Sequence, residues 1–434
     1  MNHKTIDQHK FSLSQAILIN INIMMGAGIF INSIPLVKLA GKLSPFVYLA
    51  IGILMLPLVF AISKLLRHFP GGSFYTYAKN TLGSLWGFLS SWSYFTGKLA
   101  SATLIIHFFS KIMLQLFPLI AGINIFLLDA LIINLFMILN LLNLKTGARI
   151  QFTFIIFKAM PILFVILTGL FLFQGQAFTT SLQLDGFIFT VPLVIYAFTG
   201  FEACCSLSRH IQNPERNASR AVIISYSIVI TILTLYQLLF YTSVYQTANS
   251  VSDYTQAIPT LINRLNLTYL SQYLQGIFQI AIGSSALGGA YGILFSNSWN
   301  LFVLAENKHL PWSNRLAQLN KNQIPTLCII VEALFCIMYL ILSHGNNQIL
   351  QQITALGCTV AYTVSILSLI WLRKHKLIAY LALVNCLILL GFCIKSMLAT
   401  SSFAFIIFSL ILASGITMFF YKKTNETMNP NQTV

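Results

Sequence analysis

Residues 24–30 read MMGAGIF. They lie inside Ile17–Val37, one of the most apolar stretches of the chain. Gly26 and Gly28 flank Ala27 there. Each glycine costs a helix interior about 1 kcal/mol relative to alanine. Glycines at i and i+2 do not share a helix face, so this is not the small-residue motif of helix dimers. It is not a phosphate loop either, because no Gly-Lys-Ser/Thr follows. The spacing instead predicts a helix that unwinds. Freed backbone groups cannot face lipid, so they must line a polar cavity. The new helix start after Gly28 offers amides and a positive dipole end to an anion such as a carboxylate. The carbonyls of Ile23 and Met24, ending the preceding half-helix, face outward to a cation such as an ammonium.

Composition sets the surroundings of that break. The chain has 434 residues, of which 57% are hydrophobic and 8% charged. Mean hydropathy is +0.80. These values exclude a soluble globular domain and predict an all-α polytopic membrane protein, since about 20 apolar residues cross a bilayer. Twelve spans fit, near 14–37, 44–66, 84–112, 119–142, 150–173, 187–208, 220–243, 271–304, 325–343, 350–372, 377–395 and 401–421. The polar loop 67–83 reads as a turn with a short helix, and TQAIPTLINRL (255–265) as a short surface helix.

A net charge of +16 would suggest nucleic acid on a soluble protein. Here its placement argues against that partner. One set of alternate loops holds only Lys38, Lys42, Lys111, Arg264 and Lys395. Lys98 and Lys158 fall within spans, and every other lysine and arginine lies on the side of the two termini. The positive-inside rule then predicts cytoplasmic termini in a cell (inner) membrane. No removable signal peptide is expected, because no small-residue cleavage site precedes the second span. The seven cysteines all lie in apolar spans and the eight histidines are scattered, so neither a metal site nor an enzyme is expected. No cofactor is implied.

A second stretch resembles the first. The sixth span carries Pro192 and then YAFTGFE at 196–202. Four uninterrupted spans follow each glycine-broken one. Matching breaks in two halves predict a five-plus-five inverted repeat, about 14–173 and 187–372. Two further helices (373–421) and tails at 1–13 and 422–434 complete the expected organisation. Gly200 permits irregular backbone, and Tyr196 is an aromatic positioned to cover a ligand. Glu202 is an intramembrane acid, read either as functional or as the carboxylate holding its own unwound backbone. Lys158, in IIFKAMPILF, lies too deep to snorkel easily. It reads as a proton carrier or as a fixed cation replacing a metal ion, against a lysine facing a wet vestibule. Lys98, in TGKLASA, is similar but weaker.

These segments together resemble the amino acid–polyamine–organocation (APC) superfamily across nearly the whole chain. NIMMGAGIFI (22–31) is similar to the family's first-helix signature, and FPGGSFYTYAKNTLG (69–83) to its second-to-third helix loop. TGARIQFTFIIFKAMP (146–161), YAFTGFE with NPERNASRAV (213–222), and LAENKHLP (304–311) with NKNQIPTL (320–327) follow in family order. The chain departs at His210, at Ser219 and at Glu306-Asn307-Lys308, where a glutamate, a proline and Arg-Asp-Gly are usual. The resemblance implies a transporter holding an α-amino acid at mid-membrane. Its carboxylate would meet amides of Gly26, Ala27 and Gly28. Its ammonium would meet carbonyls near Ile23, Met24, Tyr196, Ala197 and Thr199, with Gly200 allowing the bend. Lys158 falls where some proton-coupled relatives place an ammonium in a sodium position, so Lys158 and Glu202 are the expected proton-coupling pair. A specificity pocket is expected from Tyr94, Phe198, Phe201, Ala290 and Tyr291, leaning toward a neutral side chain. An amino acid/amine exchanger and a non-transporting sensor are the alternatives. The partners expected are the amino acid, protons and membrane lipids.

Overall fold

The computed structural model describes residues 10–179, 186–247, 256–265 and 271–428. Within them the chain is helical, and its one β contact is an isolated bridge between Phe11 and Ile211. The first expected span is three helices: α1 (Leu13–Met24), α2 (Gly28–Ile31) and α3 (Ser33–Ala40). There follow α4 (Ser44–His68), the short α5 (Phe74–Leu82), α6 (Ser84–Leu116), α7 (Ile125–Asn140) and α8 (Leu144–Phe171). The sixth expected span is α9 (Phe187–Phe198) and α10 (Ala203–Leu207), separated by residues 199–202. Then come α11 (Pro214–Val244), α12 (Ala257–Arg264), α13 (Ser271–Glu306) and α14 (Ser313–Leu316). The chain ends with α15 (Thr326–Ser343), α16 (Asn347–Trp371), α17 (Lys376–Thr400) and α18 (Ser402–Met428).

Local chemistry explains several starts. Ser12 and Gln15 form a reciprocal capping box at α1. Asn124, Asn143 and Asn346 cap α7, α8 and α16 through their side chains. Pro214 occupies the first turn of α11, where its missing N–H is harmless.

Eleven stretches among the described residues are long and apolar enough to cross a bilayer. The difference from twelve lies at 119–142. Pro118–Ile120 forms a 3-10 turn, and the helix starts only after the Asn124 cap. The 16 residues of α7 extend about 24 Å, short of a ~30 Å hydrocarbon core. The two short helices expected near 67–83 and 255–265 are α5 and α12. Parts of both tails and of the segment 244–269 lie outside the described residues.

The core is built around α6, which packs along α13 and α16. Its residues from Ser90 to Phe108 are all buried. α1 sits between α8, α11 and α13, and α9 between α4, α16 and α17. Exposed apolar side chains concentrate on α7, α8, α17 and α18, as lipid-facing helices require. Both interruptions, 25–27 and 199–202, are enclosed by the other helices.

Candidate functional site

Backbone geometry defines the site. The last bond of α1 runs from Met25 N to Ile21 O, and the ladder resumes with Phe30 N and Ile31 N on Ala27 O. The amides of Gly26, Ala27 and Gly28 take no part in any of these bonds. The three residues are buried. Tight packing surrounds the glycines as well. A Cβ on Gly28 would lie 3.2 Å from both Ala197 Cα and Tyr196 Cε1. A Cβ on Gly289 of α13 would lie 2.9 Å from Gly26 Cα. The two glycines of MMGAGIF therefore serve close approach to α9 and α13 in addition to the break.

The second interruption lies against the first. Gly200 has φ +126°, and a Cβ there would stand 2.7 Å from Ile23 Cγ2 and 2.9 Å from Met24 N. Thr199 donates its hydroxyl to Tyr196 O (2.9 Å). Glu202 holds the turn: Gly200 N donates to Oε2 (2.8 Å), and Tyr94 OH of α6 donates to Oε1 (2.9 Å). Lys98 Nζ, also on α6, donates to Thr199 Oγ1 (3.3 Å) and stands 3.9 Å from Glu202 Oε1. Glu202 thus bonds its own unwound backbone and sits beside a buried cation.

Lys158 of α8 reaches the other break. Its Nζ donates to Asn22 O (2.6 Å), within the last turn of α1. The Asn22 side chain donates to Gln151 Oε1 and to Gly288 O (2.9 Å). Asn20 donates to Phe201 O (2.6 Å) and to Ser225 Oγ (3.2 Å). Sequence analysis passed over Asn20, Asn22 and Gln151. Polar side chains two apart in an apolar run, one turn before the glycines, were the available signal.

Of the expected specificity side chains, Phe198 and Phe201 share a neighbour, Tyr226. Tyr94 points to Glu202. Phe198 packs on Tyr48 and Tyr226. Phe201 packs on Tyr226 and Tyr362. Tyr291 packs on Phe136, Phe154 and Phe295. Ala290 is buried next to Gly289. Each helical residue turns about 100° from the next, so neighbours of a break aim at different helix interfaces.

On the side of the basic loops, the residues that depart from the family pattern make contacts. Arg209 donates to Glu306 Oε2 (2.8 Å), and Lys79 donates to Asn307 Oδ1 (2.7 Å). His210 packs on Trp299, and Ser219 Oγ accepts from Arg67 Nε (2.9 Å). Phe11 N donates to His210 O (2.7 Å), which pins the start of the described chain to that loop. Tyr75 OH lies 2.6 Å from His309 Nε2. Burial, then the nearby Lys79 ammonium, push the His309 imidazole down to about 4. Among the described residues no group of three His, Cys, Asp or Glu is placed to hold a metal.

The two helix breaks, 25–27 and 199–202, thus lie against each other inside a helical bundle. Residues 11–431 match the family model described as amino acid permease. The chain belongs to that family, within the APC superfamily. It is 24% identical to the serine/threonine exchanger of Bacillus subtilis, over 83% of this chain and 82% of that one. It is 23% identical to the D-serine/D-alanine/glycine transporter of Escherichia coli K12 (83% and 79%). It is 25% identical to the human cystine/glutamate transporter (84% and 74%). The protein is a multi-pass membrane permease, and amino acid transport is its activity class.

Proposed function

We propose that the protein is a proton-coupled symporter of a neutral amino acid, working by alternating access without covalent chemistry. The substrate carboxylate meets the amides of Gly26, Ala27 and Gly28. Its ammonium meets carbonyls of Ile23, Met24, Tyr196, Ala197 and Thr199. Gly200 and Glu202 hold the second break open, and Tyr196 covers the ligand. The architecture in this reading is twelve spans in a five-plus-five repeat plus α17 and α18, in the cell membrane with both termini cytoplasmic. The observation that carries the coupling is the Lys158 ammonium 2.6 Å from Asn22 O. A cation bound to the end of α1 fills the place where a metal ion would neutralise that helix terminus. A proton leaving Lys158 would weaken this bond and free α1 to move.

Uptake into proteoliposomes, with an imposed pH gradient and a panel of amino acids, tests the reading. The gradient is expected to raise uptake by about tenfold or more, an effect worth about 1.4 kcal/mol per decade. Lys158→Ala is expected to abolish that response. Uptake indifferent to pH in both proteins rejects proton symport. Exchange is the second reading, favoured by the likeness to a serine/threonine exchanger. Strict dependence on internal substrate would select it. The nearness of Lys98 to Glu202, with Lys158 at the other break, disfavours a dibasic substrate or an amine.

A further inference from the structure

Away from the two breaks, α7, α13 and α15 enclose a narrow crevice walled by Ile133, Met137, Leu294, Ile329 and Ala333. Two polar side chains line it: Asn140, the last residue of α7, and Glu332 of α15. Glu332 is 1% exposed and Asn140 3%. Neither carboxylate oxygen of Glu332 has a hydrogen-bond partner, and neither amide atom of Asn140 has one. Buried polar groups are almost always paired, so four unpaired atoms in one crevice are an exception that needs a cause.

The surrounding groups do not supply a counter-charge. On α15 itself, Cys328 Sγ donates to Leu316 O and Cys336 Sγ to Leu99 O. On α6, Lys98 serves Thr199 and lies beside Glu202, His107 bonds Asp129, and Lys111 lies about 18 Å along the helix from Leu99, the residue that meets Cys336. Asp129 is the one charged residue of α7, about 16 Å along the helix from Asn140. The single charge of α13, Glu306, pairs with Arg209. Arg315 of α14 is solvent-exposed, and α16 carries no charged residue. An ionised carboxylate in such a place costs several kcal/mol. The crevice admits no water-sized sphere, so a hydrated metal ion does not fit.

We propose that Glu332, in the crevice it shares with Asn140, is a second proton-binding site of this permease. One proton on a carboxyl oxygen removes the charge that the crevice leaves uncompensated. Glu332 lies about 9 Å into α15 from Thr326, on the side of the basic loops. Asn322 Nδ2 donates to Leu141 O (3.0 Å) at that end of α7. The crevice is therefore a short step from the aqueous face that the proton-coupled reading calls cytoplasmic. The proposal rests on that reading for its direction only, and not for the site itself.

The test uses the purified full-length protein in liposomes and dicyclohexylcarbodiimide. This reagent labels carboxylic acids in apolar surroundings, the acid O–H adding across its C=N bond. Peptide mapping is expected to find the adduct on Glu332, falling as the pH is raised. Glu332→Gln is expected to lose that adduct. It should also cut uptake driven by a pH gradient about tenfold, while substrate counterflow stays within about twofold. An adduct independent of pH overturns the site, as does a pH titration of the wild-type infrared spectrum that shows no protonated-carboxyl band. An unchanged gradient response in Glu332→Gln overturns its role. If Glu332→Gln fails to fold, the wild-type adduct and its pH dependence still decide. Wild-type uptake that ignores pH would reject symport and leave the adduct result standing.

Discussion

At the residue scale, Gly200 shows how one position carries two constraints. Its φ of +126° is a conformation that L side chains avoid, and its missing Cβ leaves room for Ile23 and Met24. Gly200→Ala should combine about 1–3 kcal/mol of backbone strain with a similar cost of overpacking. The expected outcome is a stability loss of about 2–4 kcal/mol, read as a lower melting temperature of the detergent-solubilised protein. Legibility in the sequence was uneven from residue to residue. MMGAGIF and YAFTGFE announced their breaks through glycine in an apolar run. Glu332, Asn140 and Gln151 announced nothing, because a single polar residue in a span gives no hint of what it faces.

Elements carry the next set of consequences. α6 and α7 are joined by His107 Nδ1 and Asp129 Oδ2, 2.7 Å apart and both buried. Gly345 packs so closely on the His107 ring that a Cβ would reach 2.3 Å from Nε2. His107→Ala strands a buried carboxylate and is expected to cost about 3–5 kcal/mol, measurable by chemical or thermal unfolding. The contact between α5 and the loop after α13 has a pH signature. His309 is held near 4 when folded, against 6.5 unfolded, by burial and by Lys79. The unfolded chain takes up this proton first as pH falls. Stability is therefore lost between about pH 6.5 and 4, and is flat above that window. Partial exposure and screening reduce the effect to about 1–2 kcal/mol. Melting temperature against pH should slope less in His309→Gln than in wild type. Helix starts were readable from caps such as Ser12 and Asn124. The late start of α7 was not, since Pro118 and Asn124 had to be weighed against an unbroken apolar run.

For the whole molecule, a ligand that binds only the native state must stabilise it. A neutral amino acid at about 100 times its dissociation constant is expected to add about 2.7 kcal/mol, seen as a raised melting temperature in a thermal-shift screen. A screen in which only dibasic amino acids or amines raise it would oppose the neutral-substrate reading. The same screen on Gly28→Leu is expected to show no shift. A larger side chain would collide with Ala197 and Tyr196 at the junction of the two breaks.

The amino-acid sequence by itself determined that this is a helical membrane protein, where its helices break and which loops are basic. Those are local properties: hydropathy over about 20 residues, glycine among apolar neighbours, and charge at span ends. Only the tertiary structure decided which polar groups meet. Lys158 finds Asn22 O across 136 positions of chain, and Lys98 reaches Thr199 across 101. It also put Phe198 and Phe201 on a shared Tyr226 and Tyr291 on Phe136, Phe154 and Phe295, and it brought Glu332 and Asn140 to one crevice. Such pairings depend on how each helix is rotated against its neighbours, and packing between distant segments sets that rotation. MMGAGIF thus predicted its own unwinding, while the fold supplied Ala197 and Tyr196, which crowd the Cβ position of Gly28 at 3.2 Å.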